Sequence, residues 1–209
     1  MVDVLTPEAF AELTNVSRET LKRFQAYAEL LKKWQGAINL IAPNSLRDLW
    51  RRHMLDSAQL IAGLPADCRN LVDLGSGAGF PGLVLAILGV PKVHLIESDA
   101  KKAVFLAEAA RAAGLDPGTN PVIHRGRIEE MTGWTADVVT ARACAPLDRL
   151  LELAERFIGP DTICLFPKGE RVADELTLAG KQWRMEVESL PSISDPSGKI
   201  LRLGKIRRG

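Results

Sequence analysis

The chain has 209 residues, of which 46% are hydrophobic and 25% are charged, and its formal net charge is +1 at pH 7. This length fits one large domain, or one domain with a modest extension, and the apolar content excludes a mostly disordered chain. The near-zero net charge excludes a globally basic coat for nucleic acid, so any contact with RNA or DNA must use a local patch.

The first 65 residues predict a helical extension that contains three helices. Thr6 can cap a first helix whose first turn holds a proline, and Ser17 can cap a second helix that runs to about Trp34. Ser45 can start a third helix, which ends at residues 63–65. Apolar residues recur at helical spacing along the second helix, which indicates that one of its faces packs on a core.

Residues 66–209 alternate between strand-like and helical patterns and predict a second, larger domain. Five short apolar runs each precede a helical stretch, which is typical of a parallel sheet with helices on both faces. Two further strand-like runs, joined by a turn, predict an antiparallel hairpin that closes one edge of this sheet. The five runs cover residues 71–75, 92–98, 121–125, 136–142 and 162–168, and the hairpin covers residues 183–190 and 199–206.

A glycine-rich turn follows the first strand and opens the first helix of this domain. Gly75 and Gly77 allow the backbone to approach a ligand closely. The segment from Gly77 to Gly82 matches GxGxxG, and Glu97 lies 20 residues beyond Gly77, so a dinucleotide-binding fold has to be considered. Asp73, however, would repel a pyrophosphate and suits a cationic ligand such as a sulfonium or an amino group.

S-adenosylmethionine has a sulfonium, an ammonium and a ribose, and it therefore suits this turn better than a dinucleotide does. Glu97 can accept hydrogen bonds from both ribose hydroxyls. The hairpin at the end also leaves too little chain for the substrate domain of a dehydrogenase. Capping of the turn alone is the alternative role for Asp73 and Glu97.

Two loops at the carboxyl edge of the predicted sheet carry further charged residues. Glu129 follows the third strand and is either a helix-start carboxylate or a neighbour of the adenine. Arg142 ends the fourth strand, at the edge where a reaction would occur, and a surface ion pair is its alternative role. A hydrogen bond between His53 and Asp56 would dock the third helix beside the cofactor, with a substrate contact as the alternative for His53.

The motifs in this order resemble one family. They are NLIA (39–42), RRHMLDS (51–57), DLGSGAGFPG (73–82), LIES followed by KKxxFL (95–106), RGRIEE (125–130), TARA (140–143) and FPKG (166–169). Together they are similar to the bacterial 16S ribosomal RNA guanine-N7 methyltransferases, called RsmG or GidB. The resemblance covers about residues 20–170, and the FPG and RHxxDS segments make it more specific than a match to methyltransferases in general.

The resemblance implies a class I, Rossmann-like, S-adenosylmethionine-dependent methyltransferase with an N-terminal helical extension. Its implied substrate is N7 of the guanosine numbered 527, in the 530 loop of 16S ribosomal RNA. By motif, the implied cofactor contacts are Gly75, Phe80, Ile128, Glu129 and Arg142, and the implied RNA contacts are Arg127, Arg142 and Lys168. Where the family often has a GERH-like strand, this chain has SGKILR, so Lys199 and Arg202 are the candidates to replace the family's C-terminal arginine.

Guanine N7 carries an in-plane lone pair and no proton, so its methylation needs no general base. The expected work of the protein is to align N7 with the sulfonium methyl and to exclude water. We expect Arg142 and Lys168 to be the catalytic contacts, since they can hold a phosphate, guanine O6 or the cofactor carboxylate.

Clusters of basic residues supply candidate RNA contacts. Arg51 and Arg52 lie in the third predicted helix beside Arg47, and the tail adds Lys199, Arg202, Lys205, Arg207 and Arg208. Ordinary solvated surface is the alternative interpretation of both clusters.

The expected partner is 16S ribosomal RNA or a small-subunit particle, and we expect the protein to be monomeric. Four other functions stay open. They are methylation of another RNA, methylation of a small molecule or a protein, a non-enzymatic role in RNA binding, and, least favoured, a dehydrogenase.

Three cysteines lie far apart, at positions 68, 144 and 164, and form no CxxC pair and no zinc spacing. This pattern predicts buried, reduced thiols with no disulfide partner and no metal site. The first ten residues lack the basic and apolar stretches of a targeting signal, and the longest apolar candidate, from Phe80 to Val90, is too short to span a bilayer. These features predict a cytoplasmic chain that does not enter a membrane.

Overall fold

The computed structural model describes residues 4–209, so the first three residues of the segment considered above as a targeting signal lie outside the described part. Helix α1 spans Pro7–Thr14 and helix α2 spans Arg18–Gln35. Thr6 and Ser17 cap them as predicted, with side-chain oxygens that accept from the backbone amides of Ala9 and Thr20. The predicted first two helices are therefore confirmed.

The third predicted helix is irregular, which corrects the expectation of one regular helix from Ser45. Tight 3-10 turns at Pro43–Asp48 and Gln59–Gly63 flank a wide π turn at Trp50–Leu55 and the short helix α3, Asp56–Ala58. Trp50 and the consecutive residues 53–55 are all buried. A π turn widens the helix locally, and such turns are frequently found at functional sites; this one carries His53.

A seven-stranded sheet forms the centre of the molecule, in the order β3-β2-β1-β4-β5-β7-β6. The first five strands are parallel, and β7 joins β5 and β6 by antiparallel pairing, which confirms the predicted hairpin at the sheet edge. The strands are β1 Leu71–Leu74, β2 Val93–Glu97, β3 Val122–Arg125, β4 Val138–Ala141, β5 Ile163–Lys168, β6 Trp183–Pro191 and β7 Lys199–Arg208.

Helices cover both faces of the sheet. Helices α4, Gly82–Ile87, and α5, Ala100–Ala112, share one apolar core with α1 and α2, whereas α6, Leu147–Ala154, and α7, Val172–Ala179, pack on the other face. The prediction of a helix after the third strand is wrong, because β3 is followed only by a 3-10 turn at Ile128–Glu130. The order of strands reverses between β1 and β4, and ligands of such sheets bind beyond the carboxyl ends of the strands at this point.

Two findings concern the cysteines and the helices. Within residues 4–209 all three cysteines are free, but Cys144 is exposed and Cys68 only half-buried, so the expectation that all three are buried holds for Cys164 alone. No helix in this part of the chain combines the length and the apolar character that crossing a bilayer requires.

Candidate active site at the strand ends

The glycine turn after β1 is shaped by two glycines with different surroundings. Gly79 has a φ of +95°, and a Cβ there would lie 2.8 Å from the Tyr27 hydroxyl and 2.9 Å from Leu83 Cβ. Gly77 has a φ of +55°, yet the nearest atom to a Cβ there would be a backbone oxygen at 3.8 Å. Gly79 is thus required by packing, whereas Gly77 faces open space that a ligand can enter.

Asp73 supports the turn from beneath. It is fully buried, and its two carboxylate oxygens accept hydrogen bonds from Thr140 Oγ1 at 2.9 Å and from the Gly82 amide at 3.2 Å. Burial raises the pKa of Asp73 to about 6, and these hydrogen bonds oppose that shift. The structure therefore places Asp73 as a support of the turn and not as a group exposed to a cation.

Glu97 ends β2 next to the glycine turn. Its Oε2 accepts from the Gly77 amide at 2.8 Å and its Oε1 accepts from the Asp99 amide at 2.7 Å. Each carboxylate oxygen offers two lone-pair sites, so these bonds leave acceptor capacity for ribose hydroxyls. Capping of the turn and acceptance from a ligand are thus compatible roles for Glu97.

Arg142, directly after β4, has four partners. Nη1 donates to the Arg52 carbonyl at 2.9 Å and to Asp56 Oδ2 at 3.3 Å, and Nη2 lies 2.6 Å from His53 Nδ1. The guanidinium carbon lies 4.9 Å from the centre of the Phe80 ring. The side chain is only 16% exposed, so Arg142 is a largely enclosed part of the site and not an exposed surface ion pair.

The predicted hydrogen bond between His53 and Asp56 is not found among the described residues. Instead, His53 pairs with Ser45 Oγ at 2.7 Å, and both His53 and Asp56 bind the guanidinium. His53 in the π turn and Asp56 at the start of α3 thus contact the same group. The sequence predicts Ser45 only as a helix start, because no local pattern links it to a histidine eight residues later.

Two pockets meet at Arg142 and Ala143, which line both. The glycine-turn pocket has a volume of about 440 Å³ and is lined by Gly75, Gly77, Phe80, His53, Arg52 and Lys102, among others. The strand-end pocket has a volume of about 480 Å³ and is lined by Lys168, Arg171, Lys199, Asp195, Pro146 and Gln59, among others. The arrangement suits two ligands that react across the Arg142 loop.

Lys168, at the end of β5, stabilises this loop. Its side chain is 8% exposed, and its Nζ pairs with Glu175 at 2.7 Å and donates to the Ala145 carbonyl at 3.2 Å. Glu175 also accepts from the Leu147 amide at 2.9 Å. Lys168 therefore lines the strand-end pocket with its charge already paired, which favours a role in shaping the pocket.

The hairpin turn closes the strand-end pocket through Gln59. The Gln59 amide nitrogen donates to Ser192 Oγ at 3.1 Å and Ser194 Oγ at 3.2 Å, and its oxygen accepts from the Ile193 amide at 2.8 Å. Ser194 also donates to Asp56 at 2.6 Å. The turn between β6 and β7 is thus bonded to the segment that holds Arg142.

The predicted adenine contacts lie outside these two pockets. Ile128 is buried in the core, and Glu129 is exposed and pairs with Arg149 at 2.8 Å. The 3-10 turn that begins at Ile128 makes Glu129 a first-turn carboxylate, which was the alternative role. A direct adenine contact for either residue stays a prediction.

The predicted RNA-binding residues are not all at one edge. Arg52, Arg127 and Lys199 are exposed near the strand ends, and Arg51 is partly exposed with Asp48 3.8 Å away. Arg202 is different, because it pairs with Leu165 in the middle of β5, donates to the Gly63 carbonyl at 3.3 Å and lies 3.5 Å from Glu188.

Apart from Lys199, the tail cluster also lies away from these two pockets. Arg208 pairs with Glu155 at 2.7 Å and stacks on Trp183, at the far end of β7 from Lys199. Among the described residues, His, Cys, Asp and Glu form no group that could hold a metal ion.

Comparison with known proteins gives consistent matches over most of the chain. A family model described as rRNA small subunit methyltransferase G matches residues 20–201. A curated protein of Rhodospirillum centenum, named ribosomal RNA small subunit methyltransferase G, is 59% identical over 94% of this chain and 89% of its own. A protein of the same name from Rhodospirillum rubrum is 56% identical over 98% of this chain and 100% of its own.

Solved structures share the fold at low sequence identity. An O-methyltransferase from Bacillus cereus, in complex with SAH, has a TM-score of 0.61 and 15% identity, covering 95% of this chain and 96% of its own. A TehB-like SAM-dependent methyltransferase from Corynebacterium glutamicum has a TM-score of 0.55 and 14% identity, covering 87% and 97%. These likenesses confirm the predicted class I methyltransferase fold.

Proposed function

Because the chain belongs to the rRNA small subunit methyltransferase G family, we propose that it methylates N7 of the guanosine numbered 527 in 16S ribosomal RNA. S-adenosylmethionine is the methyl donor of this proposal. The observation that carries it is the position of Arg142 between the glycine-turn pocket and the strand-end pocket, which Arg171 and Lys199 also line.

The glycine-turn pocket fits S-adenosylmethionine. Gly77 leaves open the space that a Cβ would fill, and Glu97 stands beside it with free acceptor capacity. Gly75, Gly77 and Phe80 would hold the methionine end, Glu97 the ribose, and the turn at Ile128 and Glu129 the adenine side. When bound, this group supplies a methyl on a positively charged sulfur. Asp73 contributes by holding the turn in shape.

The strand-end pocket suits a base that has been turned out of an RNA loop. Bases in loops are already unstacked in part, so turning one outward costs less than from a duplex. N7 has no proton, so the site needs no general base. The two pockets instead align the methyl group with N7 and exclude water. Arg142 contacts the reacting groups from the shared wall, and Lys168 shapes the pocket from below.

Exposed cations at the rim are placed to hold RNA phosphates. We propose this role for Arg52, Arg127 and Lys199, with Arg51 as a weaker contributor because it shares its charge with Asp48. We do not include Arg202 among the phosphate contacts, since it lies within the sheet and has two partners in the protein, the Gly63 carbonyl and Glu188.

Three further aspects belong to the same proposal. Residues 1–65 act as the helical extension, and residues 66–209 act as the methyltransferase domain. The protein works as a monomer in the cytoplasm. Its natural substrate is 16S ribosomal RNA, either free or within a small-subunit particle.

A methyl-transfer experiment tests the proposal. The protein is incubated with labelled S-adenosylmethionine and, in separate reactions, with 16S ribosomal RNA, small-subunit particles or a total small-molecule extract, and the label is then mapped. We expect the label at guanine N7 in the 530 loop, and the two RNA reactions show whether free RNA or the particle is preferred. Label in small molecules alone would contradict the proposal, and label at another nucleotide would redirect it to a different RNA site.

A further inference from the structure

The hydrogen bonds around His53 have only one possible direction. An arginine guanidinium donates and never accepts, so His53 Nδ1 must accept the bond from Arg142 Nη2. The ring proton of a neutral His53 is therefore on Nε2, which donates to Ser45 Oγ at 2.7 Å. Ser45 in turn donates to the Ala42 carbonyl at 2.7 Å. The chain of bonds from Arg142 to Ala42 fixes a single tautomer of the imidazole.

The surroundings keep His53 neutral and fixed in orientation. The residue is 9% exposed, and its ring lies 5.0 Å from the Phe80 ring. Burial, together with the charges of Arg142 and Arg52, lowers the pKa of His53 to about 3. A lone pair at Nδ1 is thus available to Arg142 at neutral pH.

The three partners of the guanidinium divide between its two amino groups. Asp56 and the Arg52 carbonyl both bind Nη1, and His53 binds Nη2. All N–H bonds of a guanidinium lie in one plane, so these acceptors together hold the plane of Arg142 over Phe80. Of these three partners, His53 is the one that binds Nη2, the amino group on the other side from Asp56 and the Arg52 carbonyl.

We propose that His53 is a positioning residue for methyl transfer, which orients Arg142 between the two pockets through the lone pair on Nδ1. This inference rests on the proposed function, because it assigns His53 a role through a residue that contacts the reacting groups there. It predicts that the position of one acceptor atom, and not the bulk of the ring, is what the reaction requires.

A matched pair of substitutions separates these possibilities. In His53→Asn, the amide oxygen is attached to the same carbon as Nδ1 and can still accept from Arg142, but the bond to Ser45 is lost. In His53→Gln, the amide reaches the Nε2 side and can still meet Ser45, but the acceptor for Arg142 is lost. Both variants remove the ring from Phe80, so they share the cost of lost stacking.

The rate of methyl transfer under saturating cofactor is the first readout. We expect His53→Gln to fall by about tenfold or more, the scale of one charged hydrogen bond, and His53→Asn to stay within about threefold of the wild type. Ser45→Ala, which retains the acceptor for Arg142 but removes the bond at the Nε2 side of the ring, is expected to show an intermediate loss. Equal losses in the Asn and Gln variants, or a greater loss in the Asn variant, would overturn the proposal.

Nuclear magnetic resonance of the imidazole nitrogens gives a second readout that needs no turnover. In the wild type at neutral pH, we expect His53 to carry its proton on Nε2. In Arg142→Ala, we expect the pKa of His53 to rise, because a neighbouring positive charge has been removed. An Nδ1 proton or an imidazolium in the wild type would overturn the inference even if methyl transfer is observed. A wild type with the expected tautomer but no methyl transfer to RNA would instead contradict the proposed function.

Discussion

Arg142 shows how a single side chain can serve both the fold and the reaction. Its alanine variant removes a guanidinium from Asp56, His53 and the Arg52 carbonyl. We expect methyl transfer to fall by about tenfold or more and the free energy of unfolding to fall by about 1–3 kcal/mol, since the buried His53 and the partly buried Asp56 lose a charged donor.

A matched control for this prediction is Arg111→Ala. Arg111 is 57% exposed, pairs only with Glu108 among its described contacts, and lies in the last turn of α5. Its loss should leave methyl transfer unchanged and shift stability by less than about 0.5 kcal/mol. Kinetics and urea unfolding of both variants check the two effects, and full activity of Arg142→Ala would remove it from the site.

Gly77 is the residue at which ligand space and backbone strain can be separated. Gly77→Ala places a Cβ into the glycine-turn pocket. It also places an alanine at a positive φ, which lowers the free energy of unfolding by roughly 1–2 kcal/mol. Gly114→Ala is the control, because Gly114 has a φ of +70° with nothing within 4 Å of a Cβ. Both variants should lose similar stability, but only Gly77→Ala should bind S-adenosylhomocysteine more weakly by calorimetry. Equal affinity in the two variants would show that the ligand lies elsewhere.

At the scale of elements, the missing helix after β3 leaves a face of the sheet covered by side chains from a loop. His94 on β2 and His124 on β3 are joined by a 2.8 Å hydrogen bond, and Trp134 packs 4.8 Å and 5.1 Å from their rings. The packing of Trp134 on His94 and His124 thus takes the place of helix packing at this edge of the sheet.

The pair of His94 and His124 is expected to lower the free energy of unfolding in acid. Burial lowers the pKa of His94 to about 4 and also lowers the pKa of His124, and Lys92 adds to both shifts. The unfolded chain therefore takes up protons near pH 6.5 while the folded chain resists them until about pH 4. Folding stability should be full above pH 6.5 and should decline as the pH falls through this window.

Urea unfolding at neutral and at mildly acid pH measures this effect. The double variant with His94→Gln and His124→Gln should start from a lower stability but lose less of it on acidification. His53, whose lowered pKa acts in the same direction, is present in both proteins and cancels in the comparison. An identical acid loss in the variant and the wild type would mean that the pair does not carry the dependence.

At the scale of the whole molecule, a net charge of +1 makes the position of each cation more important than their number. Arg52 and Lys199 are exposed at the two pockets, whereas Lys205 and Arg207 lie on the part of β7 that leads away from Lys199. Neutralising Arg52 with Lys199 should weaken RNA binding and flatten its salt dependence by about 0.7–0.9 in the log–log slope per lost contact.

The variant with Lys205→Gln and Arg207→Gln is the control of equal charge. It should leave the slope and the affinity for RNA nearly unchanged, and neither double variant should alter the affinity for S-adenosylhomocysteine. Affinity measured over a salt series compares them directly. The opposite ranking of the two variants would place the RNA on the far end of the hairpin.

The parts of the molecule that the sequence predicts well are those encoded by local patterns. Alternating apolar runs and helical stretches located the five parallel strands, and two strand-like runs joined by a turn located the hairpin. The glycine turn between β1 and α4 indicated the side of the sheet on which a ligand is expected. The bonding of Arg142 could not be predicted, because His53 and Asp56 lie 89 and 86 residues away in the chain. Lys168 and Glu175 are seven residues apart, but only the angle between β5 and α7 makes them a pair.

The position of β7 between β5 and β6 has a consequence for the growing polypeptide. Among the described strands, β6 is hydrogen-bonded to β7 alone. Because β6 precedes β7 in the chain, it is synthesised before the strand that attaches it to the sheet. Until β7 arrives, β5 presents an open edge on which a strand of another nascent chain could pair. The glycine-turn pocket can be complete at that time, but the wall supplied by residues 192–200 cannot. A chain interrupted between the two strands should therefore retain affinity for the nucleoside ligand while being prone to self-association and unable to accept a base.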